Sequence, residues 1–183
     1  MSNQAVPAES AADPAIPGNW SGSENSRNGT TGITGNSTQF ISFAIGDDQY
    51  GVDIMAVREI KGWTDVTHLP RQPDYVRGVL NLRGAVVPIV DLRCRFGQGL
   101  TEATPLHIAI IVQIGSRQVG LLADRVLDIV SFESSQVQPV PRIANGSRIS
   151  FLSGLVTVDG AMIALIDLPN LLSARVGDED ADP

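Results

Sequence analysis

Sulfur and imidazole are scarce in this chain. Cys94 is the single cysteine, so no disulfide can close within the sequence, which suits a reducing compartment. Arg93 and Arg95 flank the thiol and would favour its ionised form. With no second thiol or base alongside, a buried small hydrophobe is the expected role. The two histidines, His68 and His107, stand far apart and lack the His-x-x-x-His or Cys pairing of a metal site. No apolar run reaches the roughly 18 residues of a membrane span, and no basic segment leads into an apolar one as in a secretory signal. Phosphate-cradling glycine motifs and the G-x-S-x-G elbow are missing, and the serines at 131, 134 and 135 sit in no such turn. Neither a catalytic centre nor a cofactor or metal site is expected.

What is present is ordinary in amount and uneven in distribution. Of 183 residues, 43% are hydrophobic and 18% charged, a globular composition. Residues 1–38 are mostly Asn, Ser, Thr, Gly, Pro and Ala, as in "GNWSGSENSRNGTTGITGNST", too poor in large apolar groups to offset the entropy of ordering. A disordered arm is expected there, and residues 174–183, ending in "VGDEDADP", read as an acidic tail. The formal charge of −7 lies mostly in these ends. Residues 39–173 hold 13 acids and 11 bases, without the clustered positive charge of a nucleic-acid binder. That middle stretch is one domain's length, enough for a real core.

The domain is written twice. "ISFAIGDDQYGVDIMAVREI" (41–60) lies over "IIVQIGSRQVGLLADRVLDI" (110–129) with seven identities, among them Gly46/Gly115, Gly51/Gly120, Val57/Val126 and Ile60/Ile129. "GVLNLRGAVVPIVDL" (78–92) lies over "GLVTVDGAMIALIDL" (154–168), matching Gly78/Gly154, Gly84/Gly160 and Asp91/Asp167. The order is the same in both halves, which marks two copies of one small module. "QFISFAIG" before "QYGVDI" reads as a hairpin. "VVPIVDL" and "MIALIDL" read as strands buried on both faces. Pro88 has no N–H, so its strand is an edge or its nitrogen faces outward. "MAVREIKG" and "ADRVLDIV" fit a helical turn or two. Asp91 and Asp167, each just after an apolar strand, are expected to bond turn amides rather than act as paired acids. Shared positions are those the module needs to fold. Arg83 stands opposite Asp159, so its charge is not required by the fold. The reading is all-β, two related lobes with one or two short helices.

The segment "VREIKGWTDVTHLPRQPDYVRGVLNLRGAVVPIVDLRCRFG" (57–97) resembles the signature of the CheW family, the chemotaxis coupling proteins. The resemblance continues through "VGLLADRVLDIV" and "LSGLVTVDGAMIALIDLPNLL", covering residues 39–173 and neither tail. It implies two interlocked five-stranded SH3-like β-barrels, lobe one about 39–105 and lobe two about 106–173, with strand exchange between lobes. It also implies a non-catalytic adaptor, cytoplasmic at receptor arrays near the inner membrane. Its partners would be the regulatory domain of a chemotaxis histidine kinase and the cytoplasmic tip of transmembrane chemoreceptors, with no nucleic acid and no membrane insertion. Glu59 and Arg83 fall on charged motif positions, expected close together at the receptor-facing surface as an ion pair. Val57, Ile60 and Val126 are expected to line a receptor groove, with core as the competing role. No kinase-contact residue is assigned. The pathway stays open between flagellar chemotaxis and a type IV pilus or other chemosensory system. The rival of another class is a small-molecule-binding β-barrel.

Overall fold

The computed structural model describes residues 37–141 and 149–173. The acidic tail, and the expected arm up to residue 36, lie outside the described residues. Ten strands run in chain order as β1 (Ser37–Ile45), β2 (Asp48–Asp53), β3 (Val57–Gly62), β4 (Val76–Leu82), β5 (Ala85–Asp91), β6 (Ile108–Ile114), β7 (Arg117–Ala123), β8 (Arg125–Glu133), β9 (Leu152–Val158) and β10 (Ala161–Ile166). Two short helices, α1 (Leu92–Arg95) and α2 (Leu168–Ser173), follow β5 and β10.

The strands form two five-stranded sheets, β8-β1-β2-β10-β9 and β3-β6-β7-β5-β4. Each sheet takes a hairpin from one copy of the module and three strands from the other. The repeat-matched residues show the exchange directly: Ile41 pairs with Ile129, and Ile110 pairs with Ile60. Each sheet curls until its ends meet through one bridge, Thr67 to Val79 in one and Gln138 to Leu155 in the other.

Alternating side chains feed three apolar clusters. In β6, Ala109 and Ile111 enter the inside of their own sheet with Val87, Ile89 and Leu122. Ile110 and Val112 point the other way, into a larger core shared by both sheets with Ile41, Phe43 and Ile45 of β1. Phe132, Val156, Ile163 and Leu165 fill the second sheet. Strands with both faces covered need unbroken apolar runs, the pattern seen in "IAIIV". The runs "VVPIVDL" and "MIALIDL", expected to be buried on both faces, instead leave Val86 and Met162 exposed near their starts.

Three local readings are decided by the structure. "ADRVLDIV" and most of "MAVREIKG" are strands β8 and β3, and only a single 3₁₀ turn, Ile54–Ala56, precedes β3. Irregularities in register between Val57 and Glu59, and opposite Ser42/Phe43, explain the helical appearance. An inserted residue turns an i, i+3 pair onto one face of a strand, as in a helix. Pro88 lies in β5, between β7 and β4, so its strand is not an edge. Val79 opposite it spends its own N–H and C=O on Thr67, and the β5–β7 pairing begins only at Ile89, so the proline nitrogen meets no demand for a donor. The first turns of α1 and α2 are capped by Asp91 and Asp167, which accept from the Cys94 and Asn170 amides.

Candidate functional site

The edge strands β3 and β8 run along one rim of the shared core. Val57 pairs with Val112 and Ile60 with Ile110, both partners being core residues. Val126 pairs with Phe43 and Ile129 with Ile41, again core residues. The bulges therefore turn Val57, Ile60, Val126 and Ile129 toward the shared core. Val57 and Val126 are half-buried against it. Ile60 is 43% exposed and Ile129 54% exposed. Each rim strand thus shows water an isoleucine it could have buried. Ile129 was missed in the sequence, although its repeat match to Ile60 was the signal that could have found it.

Glu59 sits on the other face of β3, opposite Ile111 of the sheet's internal cluster. Arg83 heads the β4–β5 turn, and its Nη2 lies 2.8 Å from Glu59 Oε2. The pair crosses the seam between the first and last strands of the sheet. Arg83 is the more exposed partner, with 86% of its side chain open against 27% for Glu59, so the pair contributes only about 0–1 kcal/mol. The five expected site residues thus fall into two groups: Val57, Ile60 and Val126 toward the core rim, Glu59 and Arg83 across the seam.

The β4–β5 turn itself is strained at Arg83. Its φ is 51° and that of Gly84 is 91°, the type I′ pattern of a two-residue hairpin. Asp159 and Gly160 adopt the same conformation in the other copy, with φ of 50° and 79°. Aspartate tolerates the left-handed region, whereas an arginine there costs about 1–2 kcal/mol. The Glu59 pair does not recover that cost. In the second copy the counterparts of Glu59 and Arg83 are Asp128 and Asp159, two acids that cannot pair.

A polar joint ties the sheets together away from this rim. Asp124, after β7, accepts at Oδ2 from the Gly46 amide at 2.7 Å and from Arg93 Nη2 at 2.6 Å. Its own amide donates to the Ala44 carbonyl, and its Oδ1 lies 3.7 Å from His107 Nε2. Burial, the largest single influence, pushes this carboxyl upward, but the Gly46 amide, the Arg93 guanidinium and the His107 charge together hold it below the usual carboxylate range. Cys94 goes the other way. Burial first, then Asp91 and Asp74, raise its thiol above the ordinary value despite Arg77, the opposite of a reactive cysteine. His68 and His107 are not brought together, and no group of potential metal ligands occurs among the described residues.

A family model described as a CheW-like domain matches residues 39–176. The chain belongs to the CheW family. It is 44% identical over 143 residues to the chemotaxis protein CheW of Rhizobium meliloti (strain 1021), covering 78% of this chain and 92% of that protein. It is 38% identical over 137 residues to the chemotaxis protein CheW of Klebsiella aerogenes, covering 75% and 82%. Among solved structures, the scaffolding protein TtCheW from Thermoanaerobacter tengcongensis superposes with a TM-score of 0.66 at 30% identity, over 72% of this chain and 84% of that one. The two curled sheets with exchanged hairpins are this CheW fold, and the chain is a CheW scaffold of chemotaxis. No helix among its described residues is long and apolar enough to cross a membrane.

Proposed function

We propose that this CheW protein couples transmembrane chemoreceptors to a chemotaxis histidine kinase, without catalysis, from the cytoplasmic side of a receptor array. In this reading a helix of the receptor's cytoplasmic tip lays its apolar face on the β3–β8 rim, against Ile60 with Val57 and Val126 beneath. The Glu59–Arg83 pair sets the polar boundary and the orientation. The kinase's regulatory domain binds elsewhere on the molecule.

The observation that carries this is Arg83. A cation occupies a left-handed turn position that an aspartate fills in the sister copy, and its ion pair is too exposed to offset the strain. A residue poor for the turn, whose ion pair does not repay the strain, is explained by what it presents outward. On β3, next in sequence to Arg83's partner Glu59 but on the opposite face of the strand, the exposed Ile60 fits the apolar anchor of a helix-in-groove contact.

Calorimetric titration of the full chain against a cognate receptor tip and against the kinase regulatory domain tests the reading. Saturable binding to both is expected. Arg83→Asp and Ile60→Asp should each weaken receptor-tip binding at least tenfold, about 1.4 kcal/mol. Absence of heat with both partners, from chains whose circular dichroism shows them folded, overturns coupling. Unchanged receptor-tip affinity in both variants overturns this placement of the site.

A further inference from the structure

The two copies of the module carry clefts in matching places. The first is lined by Asp48, Tyr50, Phe96, Leu152 and Met162 and holds about 400 Å³. The second is lined by their repeat counterparts Arg117, Val119, Leu172, Val76 and Val86 and holds about 1170 Å³. The exposed apolar side chains also correspond, Met162 at 62% and Val86 at 68%.

What differs is the chain that leaves the helix. After α1 it turns back beside the β1–β2 hairpin: Gln98 Nε2 donates to Asp48 Oδ2 at 3.3 Å. Thr101 then packs under the domain, its amide and hydroxyl both bonded to Asp91. The counterpart chain after α2 is residues 174–183, "ARVGDEDADP". The charges at the two ends of this contact differ together. Where the first copy has an acidic Asp48 in the hairpin and an amide in the following segment, the second has the basic Arg117 and a segment holding Asp178, Glu179, Asp180 and Asp182. Glu179 is seven residues beyond Leu172, a reach of about 23 Å when extended, which is ample for a cleft that Leu172 itself lines.

We propose that residues 174–183 seat in the larger cleft, with the acids of 178–182 over Arg117 and the chain covering Val86 and Pro88. The tail is then an intramolecular occupant of this end of the molecule, and any partner that binds the Val86 face must displace it. The inference is independent of the receptor and kinase assignments above, because it rests on the match between the two copies, on charge complementarity and on the point where the chain leaves α2.

The test is a nitroxide attached at Ala181→Cys in the full chain, with Cys94→Ala and isotope-labelled methyl groups. The expected result is loss of the Val86 methyl signals, with the counterpart Met162 methyl in the other cleft unaffected. Adding Arg117→Glu should restore the Val86 signals; Arg117 is the exposed first residue of β7, and circular dichroism of the variant checks that it stays folded. Undisturbed Val86 signals overturn the proposal, as does broadening that survives Arg117→Glu. Broadening seen when a nitroxide-bearing chain without isotope labels is mixed with isotope-labelled chain lacking the nitroxide identifies a second copy as the occupant, and likewise overturns it.

Discussion

The two copies of the module are built alike and wired differently. Both turn their hairpins on left-handed residues, both cap a short helix with an aspartate, and both bring an isoleucine to the rim of the shared core. Yet Asp91 is fully buried, its carboxylate bonded to Thr101 and Cys94, while Asp167 is half-exposed, its carboxylate bonded to Asn170. One copy pairs Glu59 with Arg83; the other sets two acids in the same places. A duplicated fold therefore separates two kinds of demand. What both copies keep is what the backbone requires, and what they exchange is available for partners.

The comparison can be broken first at its shared glycines. A Cβ on Gly78 would lie 2.4 Å from the Thr67 carbonyl oxygen, at a φ of 141°. A Cβ on Gly154 would meet Val137 Cγ1 at 2.4 Å, the end of a side chain that can turn aside. Gly78→Ala should cost about 3 kcal/mol and Gly154→Ala about half of that, read from urea midpoints. Equal costs would show that the two seams are equally rigid.

The aspartate caps come next. Asp91→Ala leaves the Thr101 amide and hydroxyl and the Cys94 amide without their acceptor and should cost about 2 kcal/mol. Asp167→Ala should cost about 1 kcal/mol, the ordinary value for a lost cap. Thermal unfolding of the two variants side by side checks the order.

Asp124 sharpens the contrast through pH. Its counterpart in the first copy is Met55, an exposed side chain, so the joint between sheets exists once. Because its folded pKa is lowered, its contribution is present above the unfolded carboxylate value of about 3.9 and is lost as pH falls through the folded value. Asp124→Asn should therefore be less stable than the natural chain by about 1 kcal/mol at pH 7, with the gap closing in acid. A gap that stays constant from pH 7 to the acid limit would sink this account.

The smallest expected effect comes from making the copies more alike. Asp159→Arg places a cation opposite Asp128, as Arg83 lies opposite Glu59. A double-mutant cycle with Asp128→Ala should show a coupling of about 0.5 kcal/mol, screened by salt. The strain of an arginine at φ near 50° should leave the single variant slightly less stable than the natural chain.

The sequence by itself determined the module, its duplication and its family, because alternating and continuous apolar runs, turn glycines and a long motif are local signals that survive without coordinates. It also brought Glu59 and Arg83 forward as a pair, through the motif they share. Tertiary structure decided which strands meet. Ile41 finds Ile129 and Ile110 finds Ile60 because burying a large apolar face between two curled sheets favours exchanging hairpins, and nothing local distinguishes Ile129 from Ile60 as a strand partner. It decided, too, that "VREI" and "RVLDI" are bulged strands: the i, i+3 spacing is common to a helix and to a strand with one inserted residue, and only the neighbouring strand tells them apart. Finally, it decided the strain at Arg83, since a positive φ follows from closing a two-residue hairpin between strands whose register is set by the sheet.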